Sequence, residues 1–361
     1  MTEIPDNRFF LELIPMRPDE RIDPEVVGSY LRGKIPDSAG TPKILQFNGG
    51  RANLTYLLQY PNREYVLRRP PLGPVAPKSH DMERESRVLL RLHKAYPLAP
   101  LAYLFCSDPE IVGAPFFVME RRRGIVIRES MPERFKGQPE LFRRMSEMIV
   151  DGLAELHGVD PKSIGLEELG RPQGYVERQI KGWHSRWEGA KNEDVPDFYR
   201  MYDWLLERIP LPQRESLVHN DYKLDNMMVD AEDPSKCVAV FDWDMCTLGD
   251  PFIDLGTLLS YWVQPSDSQM RISLSPMPTA QPGFYTREEV TKRYAEKSGL
   301  DLGTILFYEI FAMWKSVVVI QQIFIRLHRG QTQDTRFADY NKRALGLLDV
   351  AWELVKDWDG G

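Results

Sequence analysis

Two stretches of polar residues beside short apolar runs decide the fold: LVHNDYKLDNMMVD at 217–230 and VAVFDWDMCTLGDPFIDLGT at 238–257. Each apolar run predicts a short buried strand, and polar side chains follow where the strand ends. These side chains are His219, Asp221, Asp225, Asn226, Asp242, Asp244, Asp250 and Asp254. Carboxylates at the mouth of a buried strand cost free energy unless they bind a metal ion or hydrogen-bond partners. The two stretches therefore predict a polar site that is held by core strands.

The spacing within these stretches favours phosphoryl-transfer chemistry. Asp221, Asn226 and Asp242 supply hard oxygen ligands, the type that Mg²⁺ prefers. A proton acceptor on one side of a loop, with metal ligands on the other, suits phosphoryl transfer because its transition state needs positioning and charge neutralisation. A single Asp after a strand is ordinarily a helix cap or a turn former. The joint pattern is more specific: His-x-Asp-x4-Asn at 219–226, Asp242 sixteen residues later, and Gly-Asp-Pro-x2-Asp-Leu at 249–255.

Length and composition exclude several classes of protein. The chain has 361 residues, of which 42% are apolar and 27% charged, with a net charge of −7. These values exclude a disordered, collagen-like or disulfide-rich chain, and the length predicts two domains or one two-lobed domain. The acidic balance argues against a nucleic-acid partner. The three cysteines match no zinc or disulfide pattern. Since no apolar run is long enough for a membrane helix and residues 1–10 do not form a signal peptide, we expect a cytoplasmic protein without a membrane partner.

The hydrophobic period changes once along the chain. Strands are predicted at 43–47, 54–60, 64–69, 102–106 and 116–120, with one helix at 81–94 among them. Helical spacing dominates after residue 120, and the last predicted helices lie near 252–262, 286–298, 303–329 and 335–357. Thr286 with Glu289 predicts a capping box. Before the strands, Asp23-Pro24 is a typical helix start, with Asp as the cap and Pro at the first helical position. The predicted divisions are an N-terminal extension with a helix (1–40), an N-lobe (41–120) and a C-lobe (121–361). A cleft between two such lobes is a preferred ligand site.

At these motifs the sequence resembles the aminoglycoside phosphotransferase family of the protein-kinase-like superfamily. The similarity extends over roughly residues 43–330 and is greatest to the branch that also occurs as a kinase-like domain fused to acyl-CoA dehydrogenases. The stretches that carry it are 47–56, 65–71, 219–226 and 241–255. The resemblance implies an α+β, two-lobed protein-kinase-like fold, with a small antiparallel N-lobe sheet and one helix, and a larger, mainly helical C-lobe. It also implies transfer of the γ-phosphate of ATP, with Mg²⁺, to a hydroxyl group of a small molecule.

The resemblance further implies a role for individual residues. Asp221 corresponds to the catalytic Asp that orients the acceptor hydroxyl and takes its proton, and Asn226 and Asp242 correspond to the Mg²⁺ ligands. Structural support of the site is implied for His219, Asp250 and Asp254. Nucleotide binding is implied for the phosphate loop (Asn48, Gly49, Gly50, Arg51 and Asn53), for the ion pair of Arg68 with Glu85, and for the adenine-binding hinge (Val118, Met119 and Glu120).

Two positions depart from the family's pattern. Arg68 stands where the family usually has the phosphate-binding Lys, and Asn220 stands where many members have Gly. Arg is a bidentate phosphate ligand, so we expect ATP binding to persist. The phosphate loop is also short and lacks Gly-x-Gly-x2-Gly. Arg68 in place of Lys leaves an alternative open, a nucleotide-binding pseudokinase or regulatory module without transfer activity, although Asp221, Asn226 and Asp242 are all intact. A two-metal phosphoesterase is a third hypothesis, but it needs additional His ligands that the motifs lack.

The segment after Asp242 predicts the class of acceptor. Only seven residues separate it from Asp250, and no Ala-Pro-Glu motif follows, so a docking platform for a peptide is not expected. The acceptor is predicted to be a small molecule, either aminoglycoside-like or a hydroxyacyl-type metabolite. The helix-rich half contains basic and aromatic residues: Arg178, Lys181, Trp183, Arg186, Trp187, Lys191, Tyr261, Trp262, Trp314 and Lys315. They predict either core tryptophans beside a solvated helix face or a site for an anionic or acyl-bearing metabolite such as a hydroxyacyl-CoA.

Overall fold

An antiparallel sheet forms the first part of the molecule. The computed structural model describes residues 13–48, 53–71, 81–275, 277–331 and 335–358. Within these ranges the sheet has six strands in the order β1-β2-β3-β4-β6-β5. The strands are β1 (Leu13–Ile14), β2 (Lys43–Phe47), β3 (Leu54–Gln59), β4 (Glu64–Arg69), β5 (Ala102–Cys106) and β6 (Phe116–Glu120). Five of these six were predicted. β1 was not, because two residues are too few to show a period.

Both faces of the sheet are covered, and β4 shows how. Successive side chains of a strand point to opposite faces. Tyr65 and Leu67 pack on one face with α1 (Pro24–Leu31), whereas Val66 packs on the other with α2 (Met82–Leu92). Arg68 lies two residues after Val66 and therefore points to the face that α2 covers.

The segment before β2 packs on the sheet. β1 pairs with β2, with Ile14 opposite Gln46. Arg69, which is only 1% exposed, donates to the carbonyl oxygen of Glu20 (3.0 Å) and to the Tyr56 hydroxyl (2.9 Å). A buried guanidinium needs such acceptors. Residues 13–40 thus complete one face of the sheet.

Helices dominate the rest of the described chain. After α3 (Pro109–Val112), they are α4 (Pro139–Gly158), α5 (Tyr175–Ala190), α6 (Pro196–Glu207), α7 (Phe252–Tyr261), α8 (Gln269–Leu274), α9 (Arg287–Ser298), α10 (Ile305–His328) and α11 (Tyr340–Val355). The predicted capping box of Thr286 and Glu289 is present at the start of α9. The short α8 was not predicted. This arrangement, a small antiparallel sheet joined to a larger helical part, confirms the predicted α+β fold class.

One helix passes the length and hydropathy test for a membrane span. Among the described residues this helix is α10, and 61% of its most apolar 18-residue window is buried inside the protein. Core helices of globular proteins pass the same test. In this molecule α10 packs against α5, α7 and α11.

Two short antiparallel strand pairs interrupt the helices. β7 (Ser216–Val218) pairs with β10 (Thr247–Gly249), and β8 (Met227–Val229) pairs with β9 (Cys237–Val240). All three residues of β7 and all three of β8 are buried. The loops between these strands carry the two polar stretches.

Candidate active site

The two polar loops lie side by side because backbone groups join them. The Phe241 amide donates to the Asn226 carbonyl oxygen (2.8 Å), and His219 Nε2 lies 2.8 Å from the Phe241 carbonyl oxygen. The Asp221 amide donates to His219 Nδ1 at 3.3 Å, so Nε2 carries the proton given to Phe241. His219 thus braces both loops, as the resemblance implied.

Asp221 is held by two neighbours in its own loop. Asn226 Nδ2 donates to Asp221 Oδ2 (2.8 Å), and Lys223 Nζ lies 3.0 Å from Oδ1 and 2.9 Å from Oδ2. The Asp221 side chain remains 26% exposed. Because the amide nitrogen of Asn226 faces Asp221, its amide oxygen is left to serve as an acceptor. The carboxylate is therefore oriented and still accessible.

Arg68 connects the sheet to the second loop. One guanidinium nitrogen lies 2.7 Å from Glu85 Oε1, and the other lies 2.8 Å from Asp242 Oδ1. The predicted pair with Glu85 is present, and the pair with Asp242 was not predicted. The forked guanidinium can serve two carboxylates at once. Burial tends to raise the pKa of Asp242, but the charge and hydrogen bond of Arg68 together with His219 and Lys223 outweigh it, and that pKa is lowered. Burial raises the pKa of Glu85, and Arg68 opposes that rise.

Asp244 adds a carboxylate for which the sequence predicted no role. Burial, and then the nearby Asp242, raise the pKa of Asp244 to about 6. The only signal was its position two residues after Asp242. Within the described ranges, no three His, Cys, Asp or Glu side chains are grouped closely enough to hold a metal ion. Asn226 and Asp242 nevertheless fit Mg²⁺, since this ion is usually bound through one or two carboxylates together with substrate phosphates and water.

Asp254 supports the Asp221 loop from the core. It is fully buried, and its two oxygens accept from the amides of His219 and Asn220, each at 2.6 Å. His157 Nε2 lies 3.2 Å from Asp254 Oδ2, and Tyr294 contacts the other ring nitrogen at 2.7 Å. Burial tends to raise the pKa of Asp254, but these hydrogen bonds outweigh it and the pKa is lowered. The part played by His157 was not predicted.

Asp250 supports the start of the next helix. Its Oδ1 accepts from the Phe252 amide (3.0 Å), so this carboxylate caps the beginning of α7. Its Oδ2 accepts from the Tyr308 hydroxyl of α10 (2.6 Å). Asp250 therefore joins two helices as well as capping one.

Asn220 adopts a backbone conformation that explains why Gly is common there. Its φ is 70°, in the left-handed region where Gly is unstrained and Asn is the best tolerated alternative. Its side chain donates to the Met245 carbonyl oxygen (2.8 Å) and accepts from the Tyr175 hydroxyl (2.6 Å). The substitution therefore adds contacts to the loop.

The predicted nucleotide-binding residues are only partly described. Gly49, Gly50 and Arg51 lie outside the described residues, whereas Asn48 Oδ1 accepts from Arg17 (3.0 Å) and Asn53 is buried. Val118 and Met119 lie in β6, which pairs with β4 and β5 on its two sides. The Glu120 amide donates to the Leu101 carbonyl oxygen (2.9 Å). The strand therefore takes part in sheet pairing up to its last residue, and the chain leaves the sheet after Glu120.

The basic and aromatic residues of the helical part fall into three groups. Trp183, Trp187, Trp262 and Trp314 are buried in the core. Lys181 and Lys191 form ion pairs with neighbouring glutamates of their own helical segment, as expected for a solvated face. Two cations differ: Arg186 lies 4.2 Å from the centre of the Trp183 ring, and Lys315 is buried.

Comparison with known proteins identifies the family of this chain. Residues 43–275 match the phosphotransferase enzyme family. The chain is 29% identical over 346 residues to acyl-CoA dehydrogenase family member 10 of Mus musculus, covering 94% of this chain but 32% of that protein. It therefore spans about a third of that relative's length.

Solved structures share the fold. A Ralstonia eutropha JMP134 protein, provisionally classed as an aminoglycoside phosphotransferase, has a TM-score of 0.80 and 29% identity, covering 93% of this chain and 99% of that one. An aminoglycoside phosphotransferase solved with AMP-PNP and hygromycin B has a TM-score of 0.58 and 16% identity, covering 91% of this chain and 97% of that one, which is a likeness of fold alone. The family match covers well over half of the chain, so this protein belongs to the phosphotransferase enzyme family, with a protein-kinase-like fold.

Proposed function

We propose that this protein transfers the γ-phosphate of ATP, in the presence of Mg²⁺, to a hydroxyl group of a small molecule. The observation that carries the proposal is the arrangement of two carboxylates. Asp221 is oriented by Asn226 and Lys223, and Asp242 is joined through Arg68 to the sheet. An aminoglycoside phosphotransferase of the same fold has been solved with the ATP analogue AMP-PNP. Phosphoryl transfer depends on this kind of positioning and charge neutralisation.

Asp221 is the proposed catalytic residue. Its accessible carboxylate orients the acceptor hydroxyl and takes its proton while the hydroxyl oxygen bonds to the γ-phosphorus. The bond between that phosphorus and the oxygen bridging to the β-phosphate then breaks, and ADP leaves. Lys223 and Asn226 restrict the carboxylate to one orientation. This restriction favours the reaction because groups that are already held in place avoid the entropic cost of being oriented.

Asn226 and Asp242 are the proposed Mg²⁺ ligands. The bound ion would neutralise negative charge on the phosphates. Arg68 is the proposed phosphate-binding base, because it stands at the position that the resemblance assigns to that role and a guanidinium is a bidentate phosphate ligand. Glu120 and the residues after it are the proposed place for adenine, since the chain leaves the sheet there.

The acceptor is proposed to be a small molecule because the segment between Asp242 and Asp250 is too short for a peptide platform. Two classes, aminoglycoside-like compounds and hydroxyacyl-type metabolites, are both candidates. Arg186, whose guanidinium lies against the Trp183 ring, supports the second class, because a cation there favours an anionic acceptor over a cationic one.

The test is transfer of label from γ-labelled ATP to a panel of aminoglycosides, sugars, amino alcohols and hydroxyacyl-CoAs. We expect wild type to label one acceptor class only with Mg²⁺, and Asp221→Asn to lower the rate by at least about a hundredfold with nucleotide affinity retained. Asp225→Asn is the matched control, since it removes a carboxylate from the same loop that pairs with Arg128 instead. Nucleotide binding without transfer to any acceptor would favour the pseudokinase alternative. Wild-type turnover in Asp221→Asn would refute the role of Asp221.

A further inference from the structure

A lysine from a distant helix contacts the catalytic loop. Lys315 lies in α10, and its ammonium donates to the carbonyl oxygen of Asn220 at 2.7 Å. Asn220 directly precedes Asp221, and 95 residues separate the two partners in the chain. The residue is 8% exposed, and its Nζ lies 5.5 Å from the centre of the Trp183 ring.

The surroundings of the Lys315 ammonium are energetically unfavourable for a charged group. Among the described residues, the Asn220 carbonyl is the one hydrogen-bond acceptor that it contacts. Burial lowers the pKa of Lys315, Asp221 and Asp254 oppose that shift, and Lys223 and Arg186 add to it. Removing a charge from water costs several kcal/mol unless good partners compensate. An apolar side chain would fill this part of the core more cheaply, and groups perturbed in this way cluster at functional sites.

The Lys315 contact adds to the hydrogen bonds that hold the backbone of His219 and Asn220 in place. Asp254 accepts from the amides of His219 and Asn220, and Lys315 donates to the carbonyl oxygen of Asn220. That carbonyl belongs to the peptide unit that leads into Asp221. Asn220 has the left-handed φ of 70°, so its backbone needs support to keep this conformation.

We infer that Lys315 is a positioning residue for the transfer reaction: its hydrogen bond to Asn220 sets the peptide plane before Asp221 and thereby the direction of the Asp221 carboxylate. The inference rests on the proposed function for its kinetic consequence, but the structural role can be measured without activity. Lys315 does not contact Asp221 directly in this arrangement, so it acts through the loop.

The experiment compares Lys315→Met and Lys315→Gln with Gln321→Met. Gln321 also lies in α10, is 3% exposed and donates to the Ala190 carbonyl oxygen (3.1 Å). This contact does not involve the catalytic loop. Its replacement therefore reports on the loss of one buried polar group from the same helix. Two measurements are made on each full-length variant: hydrogen exchange of the amides in 219–226, and steady-state transfer with the acceptor found above.

The expected result is faster exchange at 219–226 in both Lys315 variants, with the Gln321 variant matching wild type there. In transfer, kcat should fall about 10- to 100-fold with the acceptor KM and the nucleotide Kd unchanged, as expected for a misplaced catalytic group. Wild-type exchange in both Lys315 variants would overturn the inference. A higher acceptor KM with unchanged kcat would also overturn it, since that pattern belongs to a substrate-binding residue. Absence of transfer by wild type would refute the proposed function, and the exchange measurement would still decide the role of Lys315.

Discussion

At the residue scale, Arg68 is the position where this site differs most from its family's pattern. A lysine ammonium is a compact point charge, whereas the guanidinium presents donors in a fixed fork. Here that fork reaches Glu85 and Asp242 together, at 2.7 and 2.8 Å. Asp242 is 37% exposed in this arrangement, so it remains open to a ligand. We regard the substitution as compatible with nucleotide binding.

Replacing Asp242 should weaken binding of the Mg²⁺–nucleotide complex. In Asp242→Asn the charged oxygen ligand is lost. We expect the Kd, measured by calorimetry, to rise at least about tenfold, which is a loss of about 1.4 kcal/mol in binding free energy. Asp233→Asn is the control, because Asp233 lies in the turn between β8 and β9, where its side chain bonds Ser235. Equal affinities in wild type and both variants would contradict the metal-ligand assignment.

At the scale of elements, the packing of α10 against α7 places two α10 side chains in contact with the polar loops. α10 supplies Tyr308 to Asp250 and Lys315 to Asn220. The helices touch at Gly256, where an added Cβ would lie 2.4 Å from the backbone of Tyr308. A side chain at this position is therefore excluded by backbone atoms that cannot move independently.

Gly256→Ala should push these helices apart. We expect a loss of about 1–3 kcal/mol in the free energy of unfolding, measured with urea, because the packing there has no space for a methyl group. Gly182→Ala in α5 is the matched control, since nothing lies within 4 Å of its added Cβ. The control should be neutral or stabilising by up to about 1 kcal/mol. Equal stability of Gly256→Ala and wild type would show that the helices can separate without cost.

An ion pair between α4 and α9 should make stability depend on pH. Arg293 donates to both oxygens of Asp151, at 2.6 and 2.8 Å. Burial tends to raise the pKa of Asp151, but the hydrogen bonds from Arg293 and Lys297 outweigh it and lower that pKa. The stabilisation is then complete above the ordinary Asp pKa of about 4 and is lost as pH falls through the lowered value.

The corresponding measurement is urea unfolding of wild type and Asp151→Asn between pH 3 and pH 7. We expect the variant to be less stable at pH 7, by about 1 kcal/mol or less, and the difference to shrink as pH falls below about 4. A difference that stays constant over this range would show that the charge of Asp151 contributes nothing.

At the scale of the whole molecule, the sheet and the helical part are joined around the candidate site. Arg68 of β4 bonds Asp242, Arg84 of α2 bonds the Cys246 carbonyl oxygen (2.8 Å), and Arg122 bonds the Val238 carbonyl oxygen (3.2 Å). A ligand that contacts both parts adds to these links and stabilises the folded state by mass action.

Mg²⁺–ATP should therefore raise the melting temperature of the protein. At a ligand concentration a hundred times the Kd the stabilisation is about 2.7 kcal/mol, which corresponds to several degrees. The measurement is thermal unfolding with ATP and Mg²⁺ together, with each alone as the control. Asp242→Asn should show a smaller shift at the same concentration. An unchanged melting temperature at saturating concentrations would rule out nucleotide binding.

The sequence predicted those parts of the structure that depend on local pattern. Strands β2 and β4 were predicted with their bounds, because alternation shows directly over five or six residues. The His219–Asn226 motif and Asp242 were singled out because polar residues in that spacing beside buried strands are unusual. The capping box of α9 was found from two residues three positions apart. Several short elements, among them β1, α3, α8 and β10, were missed because two to six residues show little periodicity.

The sequence by itself determined the fold class and most of the longer helices and strands, and it singled out the candidate site residues. Only the tertiary structure decided which of them meet: Arg68 with Asp242 across 174 residues, and Lys315 with Asn220 across 95. The physical reason is that an apolar period specifies which face of an element is buried but not what it is buried against. The partner depends on how several such faces pack together. The contacts of Asp254 and Lys315 with the loop before Asp221 therefore form only when α7 and α10 have packed.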